Sequence, residues 1–330
     1  MRASVPAYTR LVETLRPHQY HLVFLLWIGG VLLGGTIYSH WYQTSAYNLQ
    51  LSATRAMDYA AHRAMQHDAP SIFADRRNLF NVLFIKRAWF WNTLAVLLVA
   101  CTLERGSGGL RGEVAQQVAP RPMRSASDAL YTKTFWRWLE ATIGWFFFSQ
   151  WFFGPSLSER VMIASGGQCV VNSMSVDPAL CHSHAALTHG AHPELFSQLP
   201  EPVQMLGKSH PLYANWHGGH DVSGHTFILV LGMLLVMETL IPYAPYILPQ
   251  SSALRDSIPR SLYAAQNVFQ LPGQRKANLA VLGFCVALLA LWSSMLLATS
   301  LYFHHPGEKL TGFLSALAVW ALMPKETVLA

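Results

Sequence analysis

The sequence is poor in charge. Lys, Arg, Asp and Glu make up 12% of its 330 residues, against roughly 25% in soluble domains. So few charges cannot cover a water-facing surface of this size, and 52% of the residues are hydrophobic. Much of the surface is therefore expected to lie in lipid. Cysteine is scarce as well, with four residues, and none stands in the Cys-x2–4-Cys spacing of a zinc site. Cys101 and Cys285 lie inside apolar runs and read as packing residues. Cys169 and Cys181 share one long polar loop, where they can be bridged if that loop faces an oxidising compartment. No internal repeat or low-complexity tract is visible. The net charge is +6, but the basic residues are spread over loops and form no stripe, so nucleic acid is set aside as a partner.

Long apolar runs are what the chain has instead. Six segments approach the length of about 20 residues that a bilayer requires: 22–41, 80–103, 138–157, 222–243, 277–303 and 310–323. They predict an all-α, polytopic integral membrane protein of about six transmembrane helices, forming a single membrane domain over 1–330. The 17 Phe, 12 Tyr and 11 Trp suit such a chain, because Trp and Tyr collect at membrane interfaces. The first run lacks a closing small-residue cleavage site and is not read as a signal peptide.

Loop charge orients the spans. With a cytoplasmic N-terminus, the cytoplasmic segments hold Arg2, Arg10 and Arg16, then Arg105, Arg111, Arg121, Arg124, Lys133 and Arg137, then Arg255, Arg260, Arg275 and Lys276, and last Lys325. The long loop 158–221 holds only Arg160 and Lys208. That asymmetry follows the positive-inside rule. Arg55, Arg63, Arg76 and Arg77 in the first non-cytoplasmic loop fit it less well. In this orientation the fourth span starts, and the fifth ends, at the non-cytoplasmic face. His225 and His304 thus reach one membrane surface.

The densest polar cluster runs His217-Gly218-Gly219-His220-Asp221-Val222-Ser223-Gly224-His225, directly before an apolar span. The Ser223 hydroxyl can accept from an unpaired N–H of the helix start. Free N–H groups there, those of Ser223 and Gly224 among them, make an anion site beside an imidazole that can move a proton near neutral pH. A second cluster is Tyr302-Phe303-His304-His305-Pro306-Gly307-Glu308. His304 and Glu308 share a face if the segment is helical, while Pro306 and Gly307 favour a turn equally. A carboxylate on one ring nitrogen fixes the tautomer and leaves the other free to attack. The two clusters together suggest phosphoryl chemistry in which one imidazole attacks phosphorus and the other protonates the leaving oxygen. Lys86 and Arg87, at the start of the second span, are basic candidates for phosphate oxygens, with snorkelling to the interface as the plainer reading. His182, His184, His189, His192, His217, His220 and His225 could supply imidazoles to a metal, but their spacing lacks a helical or paired-cysteine frame. Neither a metal nor a cofactor is expected.

The stretch His220 to His225 before an apolar span resembles the HD-I/V-SGH motif of the fat storage-inducing transmembrane (FIT) proteins. The run from Arg77 to Trp89, the third span ending Gln150-Trp151-Phe152-Phe153-Gly154, Gly166-Gly167-Gln168-Cys169, and Tyr302-Phe303-His304 are similar to further motifs of that family, in the same order. The resemblance covers roughly 77–320, and long insertions near Leu110 and over 175–210 look like a fungal-type member. It implies six spans in the endoplasmic reticulum membrane, both termini in the cytosol, and a site facing the lumen that is distantly similar to lipid phosphate phosphatases. It implies a hydrolase acting on a phosphoric anhydride, the diphosphate of fatty acyl-CoA. Products would be an acyl 4′-phosphopantetheine and adenosine 3′,5′-bisphosphate, in support of lipid-droplet formation and ER homeostasis. The family's two functional histidines map onto His225 and His304. The chain departs from the phosphatases in lacking a Lys-x6-Arg-Pro motif (Arg16-Pro17 lies before the first span) and the Ser-Arg start of their third motif. Glu308 also stands where Asp is usual. The phosphate clamp is therefore unassigned.

The alternatives are a lipid phosphate phosphatase using the same histidines and a non-catalytic protein that binds diacylglycerol or triacylglycerol among its spans. A transporter ranks last, because no repeat of paired broken helices is present. The charge asymmetry predicts that a glycosylation acceptor placed near Ala186 is modified in ER membranes. A site unmodified there but modified near Gly109 would reverse the orientation.

Overall fold

The computed structural model describes residues 18–44, 72–74, 78–104, 126–150, 154–171, 174–183, 185–201, 203–205, 212–260 and 272–325. The expectations placed on Arg2, Arg10, Arg16, Arg55, Arg63, Arg76, Arg77, Arg105, Arg111, Arg121, Arg124, His184 and Lys208 lie outside those residues. In chain order the elements are α1 (Gln19–Tyr42), a 3-10 turn (Ile72–Ala74), a π turn (Asn81–Ile85), α2 (Ala88–Val99), a second π turn (Ala100–Glu104) and α3 (Ala126–Ser149). There follow α4 (Leu157–Ala164), β1 (Gln168–Val171), β2 (Met174–Ser175), α5 (Pro178–Ser183), α6 (Pro193–Gln198) and β3 (Asn215–His217). The chain closes with α7 (Gly224–Leu240), a 3-10 turn (Ile241–Tyr243), α8 (Ala244–Ile247), α9 (Ala253–Asp256), α10 (Pro272–Tyr302) and α11 (Pro306–Leu322).

Length and apolar composition single out three membrane-crossing helices among the described residues: Gln19–Tyr42, Gly224–Ile247 and Arg275–Tyr302. The other expected spans are helical but shorter or interrupted. Segment 80–103 is the 12-residue α2 between two π turns. Segment 138–157 ends its helix at Ser149. Segment 310–323 belongs to α11, which has 17 residues. The count of six thus exceeds what helix length and apolar composition together support among the described residues.

The chain divides into two units, Met1–Gly144 with Ser223–Ala330, and Trp145–Val222. In the first, α7 is the central helix: the span Gly224–Ile247 that it opens is almost wholly buried, whereas most of α1 is not. An apolar helix buried on all sides has no amphipathic stripe, which is how α7 reads. Small residues let its neighbours approach closely, as membrane helices require. A Cβ at Gly232 would lie 2.2 Å from Asn92 Nδ2, and one at Gly35 would lie 1.8 Å from Ser300 Oγ. Asn92 Oδ1 accepts from Trp292 Nε1 at 2.8 Å, tying α2 to α10. Cys285 is buried, but Cys101 is exposed. The packing role expected of Cys101 is corrected: it lies in the second π turn with its side chain exposed.

The start of α1 and the ends of α7 and α11 meet around one buried carboxylate. Glu238 Oε1 lies 2.7 Å from His21 Nε2 and accepts from Trp320 Nε1 at 3.0 Å. His21 Nδ1 accepts from the His18 N–H at 2.6 Å, so Nε2 carries the proton that faces Glu238. Arg137 donates to the carbonyls of Glu238, at 3.3 Å, and Pro324, at 2.7 Å. Lys325 donates to Met323 O at 2.9 Å and covers the Trp320 ring at 4.2 Å. Burial pushes the Lys325 ammonium down to about 8, with Glu238 pulling it back up.

The second unit is a small module with an antiparallel sheet of order β2-β1-β3. Cys169 on β1 is bonded to Cys181 on α5, and both are buried with Val171, Leu187, Phe196 and Leu199. Seventy-eight residues (145–222) are few for an apolar core, and a disulfide compensates by constraining the unfolded chain. His182, one of the imidazoles the sequence offers to a metal, has a carboxylate partner. Its Nδ1 stands 2.6 Å from Glu159 Oε1, which also accepts from Trp216 Nε1 at 2.9 Å.

Removing the Glu238 carboxylate leaves the buried Trp320 N–H without its acceptor and the His21 ring without its neighbouring carboxylate. Glu238→Ala is expected to cost about 3–5 kcal/mol, read as a lower thermal midpoint of the purified protein in detergent. Glu238→Gln, which keeps an acceptor oxygen, is expected to lose less. Equal midpoints for wild type and the alanine variant would show that the cluster contributes nothing.

Candidate active site

At the other end of the first unit, the start of α7 meets the turn between α10 and α11. Ser223 is the N-cap of α7. Its hydroxyl accepts from Thr226 N at 3.3 Å and lies 2.9 Å from Thr226 Oγ1, the cap that its place before an apolar run predicts. Ser223 N donates to the Glu308 carbonyl at 3.1 Å. That bond joins the two motifs the sequence holds far apart. Gly312, one turn further along α11, makes the approach possible, since a Cβ there would lie 2.5 Å from Ser223 O.

His304 lies two residues beyond the end of α10, after Phe303, and has a left-handed backbone, φ 57°. That conformation costs an L-residue about 1–2 kcal/mol, so the surrounding contacts must hold it. Pro306 then opens α11 with Glu308 at its third position. Of the two conformations open to this segment, the structure has a turn followed by a helix start. Glu308 Oε2 accepts from the His305 N–H at 2.8 Å and lies 3.3 Å from His304 Nδ1. His305 Nδ1 accepts from Gly307 N at 3.3 Å, which completes a reciprocal cap. The carboxylate is thereby fixed by backbone before it meets the imidazole. With Nδ1 only 3.3 Å from the Glu308 carboxylate, the tautomer protonated on Nδ1 is favoured, which leaves the lone pair on Nε2. Both side chains are 17% exposed, shielded yet reachable.

His225 is half-buried in the first turn of α7, and its ring centroid lies 6.3 Å from that of Phe303. The two histidine motifs therefore converge. Gly224 is exposed at the head of α7. Lys86 is exposed in the turn after the first π turn, its N–H donating to Asn81 O at 2.9 Å. Its side chain is not tied to either histidine among the described residues. His220 and Asp221 belong to the second unit, where the His220 N–H donates to Ser165 Oγ at 2.6 Å. Two residues escaped the sequence reading. Lys309 is buried and donates from Nζ to Ser300 O at 2.5 Å, and Thr44 Oγ1 donates to Leu301 O at 2.7 Å. A charge at the head of a span was the available signal for Lys309; Thr44 gave none.

The fold and this cluster define a helical membrane protein with a histidine–carboxylate pair and a capped helix start at one end of its packed spans. The family model described as FIT, fat storage-inducing transmembrane protein, matches residues 69–323, and the chain belongs to that family. It is similar to the acyl-coenzyme A diphosphatase fit1 of Schizosaccharomyces pombe, 25% identical over 253 residues, covering 77% of this chain and 72% of that protein. No solved structure matches.

Gly312→Ala places a methyl group against the Ser223 carbonyl. Overpacking of this kind costs about 1–3 kcal/mol, and a lower thermal midpoint in detergent is expected. An unchanged midpoint would mean that α7 and α11 separate without penalty.

Proposed function

We propose that the protein is a fatty acyl-CoA diphosphatase of the endoplasmic reticulum membrane, with its site facing the lumen. The observation that carries this reading is the Ser223–Glu308 backbone bond, which brings a capped helix start bearing His225 to the same turn as the His304–Glu308 pair. The similarity to a protein named acyl-coenzyme A diphosphatase supports the substrate class. The orientation is supported from the opposite end: the start of α1 packs there by Glu238, so a cytosolic N-terminus puts the two histidines on the lumenal side. The Cys169–Cys181 bond suits an oxidising lumen.

In this mechanism the His304 Nε2 lone pair attacks one phosphorus of the diphosphate. The bond from that phosphorus to the bridging oxygen breaks, and the oxygen leaves with its electron pair on the other phosphate. His225 gives that oxygen a proton. Water then attacks the phosphohistidine, loses its proton to His225, and frees His304. The products are an acyl 4′-phosphopantetheine and adenosine 3′,5′-bisphosphate. Glu308 holds the His304 tautomer and stabilises the imidazole as charge develops. Backbone N–H groups at the head of α7, that of Gly224 among them, face the phosphoryl oxygens, and Lys86 is a second source of positive charge. Removing acyl-CoA at the lumenal face would support lipid-droplet formation and ER homeostasis.

His304→Ala is expected to abolish product formation by purified protein given acyl-CoA, together with any trapped phosphohistidine. His225→Ala is expected to slow it by about 10²–10⁴-fold, least for substrates with good leaving groups. The double variant should match His304→Ala, because residues acting as a unit are not additive. Substantial activity without His304 would overturn the assignment. Wild-type activity in both single variants would favour a lipid-binding protein, and hydrolysis of phosphatidic acid in preference to acyl-CoA would favour a lipid phosphate phosphatase.

A further inference from the structure

We infer that Lys309 is a positioning residue that fixes the His304 turn from beneath, a role that rests on the reading of His304 given above. The last carbonyls of a helix have no partner within it. At the end of α10 they are filled in succession: Thr299 O by the Phe303 N–H at 3.1 Å, Ser300 O by Lys309 Nζ at 2.5 Å, and Leu301 O by Thr44 Oγ1 at 2.7 Å. Ser300 O is the carbonyl that an α-helix ending in a left-handed residue ordinarily offers to that residue's own N–H, and here the left-handed residue is His304. Here an ammonium from the next helix donates to it. The bond is charge-assisted and placed at the negative end of a helix dipole.

The covalent arrangement makes this a clamp. Glu308 and Lys309 are consecutive residues in the first turn of α11. Glu308 holds the far side of the turn, through the His305 N–H at 2.8 Å and the His304 ring at 3.3 Å, and Lys309 holds the near side through Ser300. Lys309 is 2% exposed, so it is shut away from solvent. It acts on the imidazole through the backbone that carries it. Burying an ammonium is costly, and this one is fixed to the helix end immediately ahead of the histidine.

Lys309→Met, Lys309→Gln and Lys309→Arg test the role in full-length protein in detergent. In Lys309→Met, kcat for acyl-CoA is expected to fall about 10–100-fold, the scale of a small misplacement of a reacting group, with KM changed less than threefold. Lys309→Gln, which keeps a neutral donor, should fall between, and Lys309→Arg should recover most of the loss. A second readout needs no activity: the rate at which diethyl pyrocarbonate modifies His304, followed by peptide mass, should rise severalfold in Lys309→Met and return towards wild type in Lys309→Arg. If the protein cleaves no acyl-CoA but the modification rates follow this order, the proposed function fails and the positioning role stands. Unchanged kcat and unchanged modification in Lys309→Met overturn the role. If Lys309→Met does not fold, the folded glutamine and arginine variants decide it: equal modification and equal kcat in Lys309→Gln, Lys309→Arg and wild type overturn it as well.

Discussion

A helix end carries backbone groups that the helix itself cannot satisfy, and in an apolar surround water cannot satisfy them either. This constraint organises the site. The free N–H groups at the head of α7 and the free carbonyls at the foot of α10 lie at one end of the first unit. Their partners come from other elements: the Ser223 N–H goes to Glu308, Ser300 O to Lys309, and Leu301 O to Thr44. Each bond also ties another element to the segments that carry His225 and His304. Local satisfaction of the backbone and assembly of the site are therefore the same event.

The opposite end solves the same problem with charge. Glu238 sits where α1, α7 and α11 converge, and His21 and Trp320 turn their N–H groups on it. Arg137 reaches the carbonyls beyond. A carboxylate there is tolerable because it is surrounded by donors. Both ends of α7 are thus pinned, which suits the helix that is buried most completely. Lateral packing between them rests on small residues: Gly232 admits Asn92, and Gly35 admits Ser300. The second unit depends on a different device, a disulfide under a small apolar cluster, as a polar module with little core requires.

The site was only partly legible in the sequence. Ser223 reads as a cap because a hydroxyl before an apolar run has one local use, and the structure has it. The His304–Glu308 pair was visible as a spacing, but its conformation was not. Pro306 and Gly307 allowed a turn or a helix, and the choice depends on how α10 ends and α11 begins. Lys86 illustrates the reverse case. A basic residue at a span start attracts attention, and the structure shows its side chain exposed and, among the described residues, tied to neither histidine. The partner of His182 is not visible in the sequence, because Glu159 lies 23 residues away.

The sequence by itself determined the class of protein and the local chemistry. Charge depletion and apolar runs specify a membrane protein, since lipid accepts little else, and the two motifs supply the imidazoles, the carboxylate and the cap. These properties depend on composition and near neighbours. Tertiary structure decided which helix is central, which spans are long and which are interrupted, and that Gly312 lets α11 reach Ser223. It also decided that Lys309 and Thr44 cap α10. Those outcomes depend on which unsatisfied backbone group meets which side chain across hundreds of residues. No local pattern encodes that pairing, because a lysine can serve any carbonyl within its reach and only packing selects one.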